Sequence, residues 1–339
     1  MEQLRGCVLG RLLGQLADGE WHSRARLIAE CRCARATLYR AVAGLRQRGL
    51  AVKTATGGGG YRLSAGYEPL DALQIAECGV VPLENIKIFF RPASTNELAM
   101  AHRLIVPGKP GLVLGECQIA GRGRAGRAWS SPLGGLYLSL VADLGPLTAP
   151  LHALGVAVAV ALVKALRREG LPVSLKWPND ILLEGSKVAG ILAELRGDPR
   201  GGCRVVVGVG LNCFAAPRER PAAPGYAIVP MSYRDGGVGV VSPWPAVAVR
   251  GVGRNRLGVV VSQAIAHALQ AAVEARLGGL LAEWADFDAL QGEMVRVSAP
   301  GGDVVGVAAG IDMQGRLLLR GERGLERFSS AEVRLRSGL

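Results

Sequence analysis

Residues 173–195, Val173-Ser-Leu-Lys176-Trp177-Pro178-Asn179-Asp180-Ile-Leu-Leu183-Glu-Gly-Ser186-Lys187-Val-Ala-Gly190-Ile-Leu-Ala-Glu-Leu195, decide the fold class. Apolar runs at 173–176, 181–183 and 190–195 are separated only by turn residues, so successive strands must double back on one another. A helical segment at 151–168 precedes them and is stopped by Gly170 and Pro172. Further strands are predicted at 86–90, 112–118, 136–142 and 204–209, and a second long helix at about 261–277. Helices interspersed among strands that meet through short turns predict an α+β domain built on a mixed sheet.

The same stretch carries chemistry. The 40 basic residues include only six lysines, yet Lys176 and Lys187 sit close together, which suggests sites that need a compact ammonium rather than a guanidinium. Pro178 is expected to hold its neighbours extended, and the turn before Lys187 to return that side chain to the same pocket. A cation there would offset charge on a phosphate or a developing oxyanion. Asn179 reads as a base or ribose contact, Asp180 as a metal or amine contact; each reads equally well as a turn cap.

Upstream, Gly121-Arg122-Gly123-Arg124-Ala125-Gly126 satisfies the dinucleotide pattern G-x-G-x-x-G, follows a predicted strand, and has Asp143 about 20 residues on. Those glycines should open a helix, but Trp129-Ser-Ser-Pro-Leu-Gly-Gly135 follows and cannot propagate one. A mobile loop whose amides and Arg122, Arg124 and Arg127 wrap a compact anion fits better. Ser94-Thr95-Asn96-Glu97 reads first as a capping box and alternatively as three adjacent polar contacts for an uncharged head group. Glu116-Cys117-Gln118 is equally two-sided. In 205–212 an apolar strand ends in glycines and Asn212, so its backbone can approach a planar ligand.

The flanks differ in texture. Residues 1–66 hold 11 basic and 4 acidic side chains, +7 of the net +12. Helical spacing from Leu4 to Leu16, a helix from the Ser23 cap to Glu30, another over 35–48 closed by Gly49, and a two-stranded hairpin across a run of four glycines form the winged helix-turn-helix plan. With the helix-turn-helix at about 24–43, Arg35, Arg40, Arg46 and Arg48 can neutralise phosphates while Thr37 and Tyr39 near the helix start face base edges. The linker is placed near 65–73, the central domain at 74–290, and a small β-barrel of short alternating strands at 291–339. Residues 215–258, rich in glycine and proline, receive no assignment. Seven scattered cysteines without a leader-like segment predict reduced thiols and a cytoplasmic protein. The longest uncharged apolar run, 153–163, is short of the ~20 residues that span a bilayer, so no membrane is expected.

Together the winged helix, Ser94-Thr95-Asn96, Gln118, the Gly-Arg-Gly-Arg loop, Lys-Trp-Pro-Asn-Asp, Lys-Val-Ala-Gly-Ile-Leu, Gly-Val-Gly-Leu-Asn and the C-terminal barrel make the chain resemble, over nearly its whole length, the bifunctional biotin protein ligases that also repress the biotin operon. The resemblance implies a class II synthetase-like central domain and an SH3-like C-terminal barrel. It implies that Ser94, Thr95, Asn96 and Gln118 line a biotin pocket and that Arg122, Gly123 and Arg124 close over it. Lys187 would lie by the biotin carboxyl and α-phosphate. Lys176, Asn179 and Asn212 would serve the adenylate, Arg127 the phosphates, and Asp180 the incoming amine or Mg2+. Lys187, Arg124, Lys176 and Asp180 are thus the expected catalytic set. ATP and biotin are the implied substrates and Mg2+ the implied cofactor. The implied partners are a biotin carboxyl carrier protein, operator DNA and a second copy of the chain when it holds biotinyl-adenylate. A non-catalytic biotin-sensing repressor, and a ligase whose winged helix does not bind DNA, are the alternatives. No Arg-Arg-x-Ser-Gly-Gly-Gly run of the lipoate ligase kind occurs. Ala125 stands where the family loop commonly has arginine, and 233–255 does not match the family pattern.

Overall fold

The computed structural model describes residues 7–64, 67–101, 106, 108–147, 149–213, 228–230, 247–249, 251–299 and 302–335. Leu4, the first two linker positions and most of 215–250 lie outside them. The chain forms two compact units, one within 1–139, 210–229 and 248–259, the other within 140–209, 230–247 and 260–339.

In the first unit, α1 (Val8–Leu16), β1 (His22–Ser23), α2 (Arg24–Glu30) and α3 (Arg35–Gln47) precede β2 (Val52–Thr54) and β3 (Gly60–Leu63). Ser23 caps α2 through Arg26 N, as its position before the helix predicts. Gly49, with φ +85°, ends the third helix. The small sheet has the order β1-β3-β2. Leu12, Leu13, Leu16, Leu27, Leu38, Leu45, Val52 and Leu63 form its core, which also takes in Tyr67 and Phe90. Two of the four arginines expected on the outer face of α3 also bond within the chain. Arg46 donates to Val52 O and Thr54 Oγ1, and Arg48 to Gly44 O, so they brace the hairpin and the helix end.

After α4 (Ala72–Ala76) come β4 (Ile86–Phe89), α5 (Thr95–Met100), β5 (Gly111–Gly115) and β6 (Leu136–Leu144). Next are α6 (Leu151–Arg168), β7 (Val173–Lys176), β8 (Asp180–Leu183), β9 (Ser186–Asp198) and β10 (Gly202–Leu211). The central sheet has the order β4-β5-β6-β10-β9-β8-β7. Its mixture of a parallel pair, β4 with β5, and antiparallel pairs, β7 with β8 and β8 with β9, bears out the mixed α+β reading. Helix α6 is apolar nearly all round, burying Ala153, Leu154 and most residues from Val156 to Leu166; a helix of that kind belongs inside a core.

Strands β11 (Ile228–Pro230) and β12 (Val247–Val249) pair with each other. Helix α7 (Arg254–Val273) begins seven residues before the expected start, because Arg254 and Asn255 are used as buried anchors rather than surface residues. It is long and apolar enough to cross a membrane, but two-thirds of its apolar window is buried in the chain. After α8 (Leu277–Ala282) follow β13 (Met294–Ala299), β14 (Gly302–Ile311), β15 (Leu317–Gly321), β16 (Gly324–Phe328) and β17 (Glu332–Leu335). They make a five-stranded sheet in the order β16-β15-β14-β13-β17.

One buried polar cluster ties distant parts of the first unit together. Arg254 Nη2 lies 2.6 Å from Glu116 Oε2, both side chains fully withdrawn from water. Tyr67 donates its hydroxyl to Glu116 at 2.7 Å, and Leu70 N donates to the other carboxylate oxygen at 2.9 Å. Arg254 Nη1 reaches Tyr67 OH and Gly135 O. Asn255 Oδ1 accepts from Asp71 N, while its amide donates to Glu68 and Pro69 O. Burial raises the Tyr67 phenol well above its ordinary value. Burial alone would lower the Arg254 guanidinium, but Glu116 and Tyr67 hold it above its ordinary value. Removing one partner of such a pair strands a buried charge and costs about 3–5 kcal/mol. Arg254→Met should therefore lower the urea midpoint sharply and Arg254→Met with Glu116→Leu should recover part of the loss. Equal losses in the single and double variants would locate the cost elsewhere.

Candidate active site

The expected head-group residues meet in the first unit. Ser94 occupies the N-cap position of α5 but makes no side-chain cap bond, so no capping box forms there. Ser94, Thr95 and Asn96 are all buried. Thr95 N and Thr95 Oγ1 lie 2.8 and 3.2 Å from Gln118 Oε1. Ser139 Oγ is within hydrogen-bond distance of both Thr95 Oγ1 (2.8 Å) and Asn96 Oδ1 (2.6 Å). Gln118 Nε2 donates to Ser131 Oγ at 2.8 Å, which reaches Trp129 O. The result is a chain of uncharged donors and acceptors fixed by β6 and the segment after β5. Sequence reading missed Ser139 and Ser131. The signal at Ser139 is a single hydroxyl within the apolar run of β6, fully buried and so obliged to find partners.

Glu116, two residues before Gln118, is the partner of Arg254, which settles its ambiguity in favour of a structural part. Burial pushes the intervening Cys117 thiol up to about 11, so it is no nucleophile at neutral pH.

The 121–129 loop opens no α-helix, in agreement with the rejection of the dinucleotide reading. It folds back on itself through Gly123 N to Arg127 O (2.7 Å) and Trp129 N to Gly121 O (2.8 Å). Between these bonds, Arg124–Gly126 makes one tight turn with Ala125 at φ +54°. Arg122 and Arg127 are exposed and Arg124 half-buried. Of the glycines in 205–212, Gly210 faces a planar group supplied by the chain itself: a side chain there would overlap the Trp129 indole. Asn212 is buried one residue past β10, its carbonyl accepting from Val249 N at 2.9 Å.

In the second unit, β7, β8 and β9 present the lysine-bearing segment. Lys176 pairs with Asp180 across the β7–β8 turn. The expectation that Pro178 keeps its surroundings extended fails: 177–179 is a tight turn containing a cis Trp177-Pro178 bond. Asn179 bonds Ile191 on β9 in both directions, Nδ2 donating to Ile191 O at 2.7 Å and Ile191 N to Asn179 O at 3.0 Å. A register shift between Ile181 and Leu182 accompanies the β8–β9 pairing. Lys187 Nζ then stands 2.6 Å from Asp180 Oδ1, with both side chains mostly buried. Lys176 is 5% exposed. Trp177 anchors the turn from behind, its Nε1 donating to Gly315 O at 3.0 Å in the β14–β15 connection. Lys187 and Asp180 thus form a sheltered ion pair, with buried Lys176 opposite Asp180 in the strand register. Among the described residues no cluster of three His, Cys, Asp or Glu side chains could hold a metal.

Residues 90–212 match the family model described as the biotin/lipoate A/B protein ligase family, and 291–336 match the biotin protein ligase C-terminal domain. The bifunctional ligase/repressor BirA of Escherichia coli is 30% identical over 96% of this chain and 97% of its own. The chain belongs to the biotin protein ligase family. A second member, the biotin–[acetyl-CoA-carboxylase] ligase of Paracoccus denitrificans, is 34% identical over 72% of this ligase and 97% of its own length. Among solved structures, the Aquifex aeolicus biotin protein ligase in complex with biotin and ATP is similar with a TM-score of 0.57 and 26% identity. It covers 75% of this ligase and the whole of that chain.

In this ligase Ser139 is expected to hold the head-group residues in place. Ser139→Ala removes the hydroxyl that lies within bonding distance of both Thr95 Oγ1 and Asn96 Oδ1 and should cost about 1 kcal/mol, read as a lower thermal midpoint. An unchanged midpoint would show that the hydroxyl is dispensable to the network.

Proposed function

We propose that the protein activates biotin with ATP to biotinyl-5'-adenylate and transfers the biotinyl group to a lysine of a carboxylase carrier domain, and that its N-terminal module, a winged helix, represses biotin synthesis by binding operator DNA. The ligase reading is carried by the buried Asn96–Ser139–Thr95–Gln118 network, whose uncharged donors and acceptors suit the ureido ring of biotin.

A carboxylate is a poor acyl donor at neutral pH. A biotin carboxylate oxygen attacks the α-phosphorus of ATP, a P–O bond forms, and pyrophosphate leaves. The lysine amine of the carrier then attacks the acyl carbon, forming an amide and releasing AMP. The chain's part is positional and electrostatic. Lys187, near the carboxyl and α-phosphate, and Lys176, at the nucleotide, offset negative charge. Asn179 and Asn212 serve the adenylate, although the bonds between Asn179 and Ile191 make its side chain a brace for the turn as well. Arg122, Gly123 and Arg124 close over biotin and Arg127 meets phosphate, excluding water that would hydrolyse the mixed anhydride. Asp180, held against Lys187, is placed for the incoming amine. Mg2+ would take from this chain at most that one carboxylate and the rest of its shell from phosphates and water, a normal arrangement for the ion. Bound there, it would neutralise phosphate charge.

The domains of this reading are the winged helix at 1–66, the catalytic domain at 74–290 and an SH3-like barrel at 291–339. Arg35, Thr37, Tyr39 and Arg40 face DNA. The adenylate-loaded chain pairs with a second copy on a two-fold operator, in the cytoplasm and away from membranes. Incubation with biotin, ATP and a carrier domain should raise the carrier's intact mass by one biotinyl group, and Lys187→Ala should lose most of that product. A carrier of unchanged mass with the wild-type chain would refute the ligase reading.

A further inference from the structure

The N-terminal module carries an arginine cluster that its core does not use. Tyr39, in the second turn of α3, accepts two guanidinium hydrogen bonds at its phenol oxygen. One comes from Arg24 Nη1 at 2.6 Å, at the start of α2, and the other from Arg35 Nε at 2.8 Å, at the start of α3. Both guanidinium carbons also lie over the Tyr39 ring, 6.0 and 5.6 Å from its centroid. Arg24 is pinned on a third side by the glycine hairpin. Its backbone N–H donates to Gly59 O at 3.0 Å, and a Cβ at Gly58, whose φ is +72°, would come within 2.8 Å of Arg24 Nη2. The positive φ at Gly58 is what favours glycine there.

Among the described residues neither guanidinium is paired with a carboxylate. A neutral phenol orients two positive charges but cannot balance them, and its own O–H proton is left to donate. Bonds from Arg35 and then Arg24 lower the Tyr39 phenol below its usual value. Two aimed cations, a hydroxyl donor and a closely approaching glycine backbone make a fit for a tetrahedral oxyanion.

We propose that Arg24, Arg35 and the Tyr39 hydroxyl form the seat of one DNA backbone phosphate beside the hairpin tip, with Tyr39 aiming the two arginines rather than reading a base. The inference rests on the operator-binding reading above. It adds Arg24 to the contact residues and makes Tyr39 a positioning residue.

The full chain is titrated with a fluorescent mixed-sequence duplex over a range of NaCl concentrations, since a phosphate contact is independent of sequence. Each phosphate contact contributes about 0.9 to the slope of log K against log salt. The double variant Arg24→Gln with Arg35→Gln, which removes both cations from that phosphate, should therefore reduce the slope by about that amount, whereas Arg168→Gln, an exposed arginine of α6, leaves it unchanged. Tyr39→Phe keeps both charges and should weaken binding several-fold with little change in slope. Biotin transfer by each variant confirms that the chain is folded. A wild-type slope for the double variant, or wild-type affinity for Tyr39→Phe, overturns this assignment while leaving DNA binding intact. A wild-type chain that binds no duplex at any salt overturns both.

Discussion

A guanidinium and a carboxylate removed from water must satisfy each other, and the Arg254–Glu116 pair organises the first unit around that requirement. Isolated, each buried ion would cost several kcal/mol. Together, with Tyr67, Leu70 N and Gly135 O adding further hydrogen bonds, they fix three chain segments at once. These are the stretch that follows the N-terminal hairpin, the end of β5 and the first turn of α7. Gln118 is two residues beyond Glu116, so the position of the head-group network follows from where the ion pair sits. Tyr67 also contributes its ring to the core of the N-terminal helices, which gives the two regions one shared side chain.

The two functional clusters are built on contrasting physics. Around Ser139 everything is neutral, and specificity comes from matched donors and acceptors in a setting where an unmatched one is costly. Around Lys187 the groups are ionic, and the sheltered Asp180 carboxylate keeps the ammonium oriented. Trp177 and Asn179 spend their polar atoms on Gly315 and Ile191, holding the lysine-bearing turn rigid. Preorganised charge of this kind stabilises a transition state without reorganising during the reaction.

The sequence made local features legible and left distant ones hidden. The β7–β8–β9 meander could be read because Pro178-Asn179 and Glu184-Gly185 punctuate apolar runs, and the N-terminal helices because Ser23, Gly19 and Gly49 mark their ends. Arg254 and Glu116, by contrast, are 138 residues apart, and an arginine beside glycine-rich sequence looks like surface. For the same reason α7 appeared to begin later than it does. Helical spacing gave Arg46 and Arg48 a face but not the partners they find within the chain. Arg24 lay outside the helix expected to touch DNA, and only the fold brings it to Tyr39.

The claim on which the function turns is that the chain itself forms an acyl-adenylate before any acceptor is present. Biotin-dependent exchange of labelled pyrophosphate into ATP, measured with no carrier protein in the mixture, tests that step alone. The account predicts exchange that requires biotin and disappears when biotin is omitted. Exchange that is absent, or that proceeds equally without biotin, would contradict it.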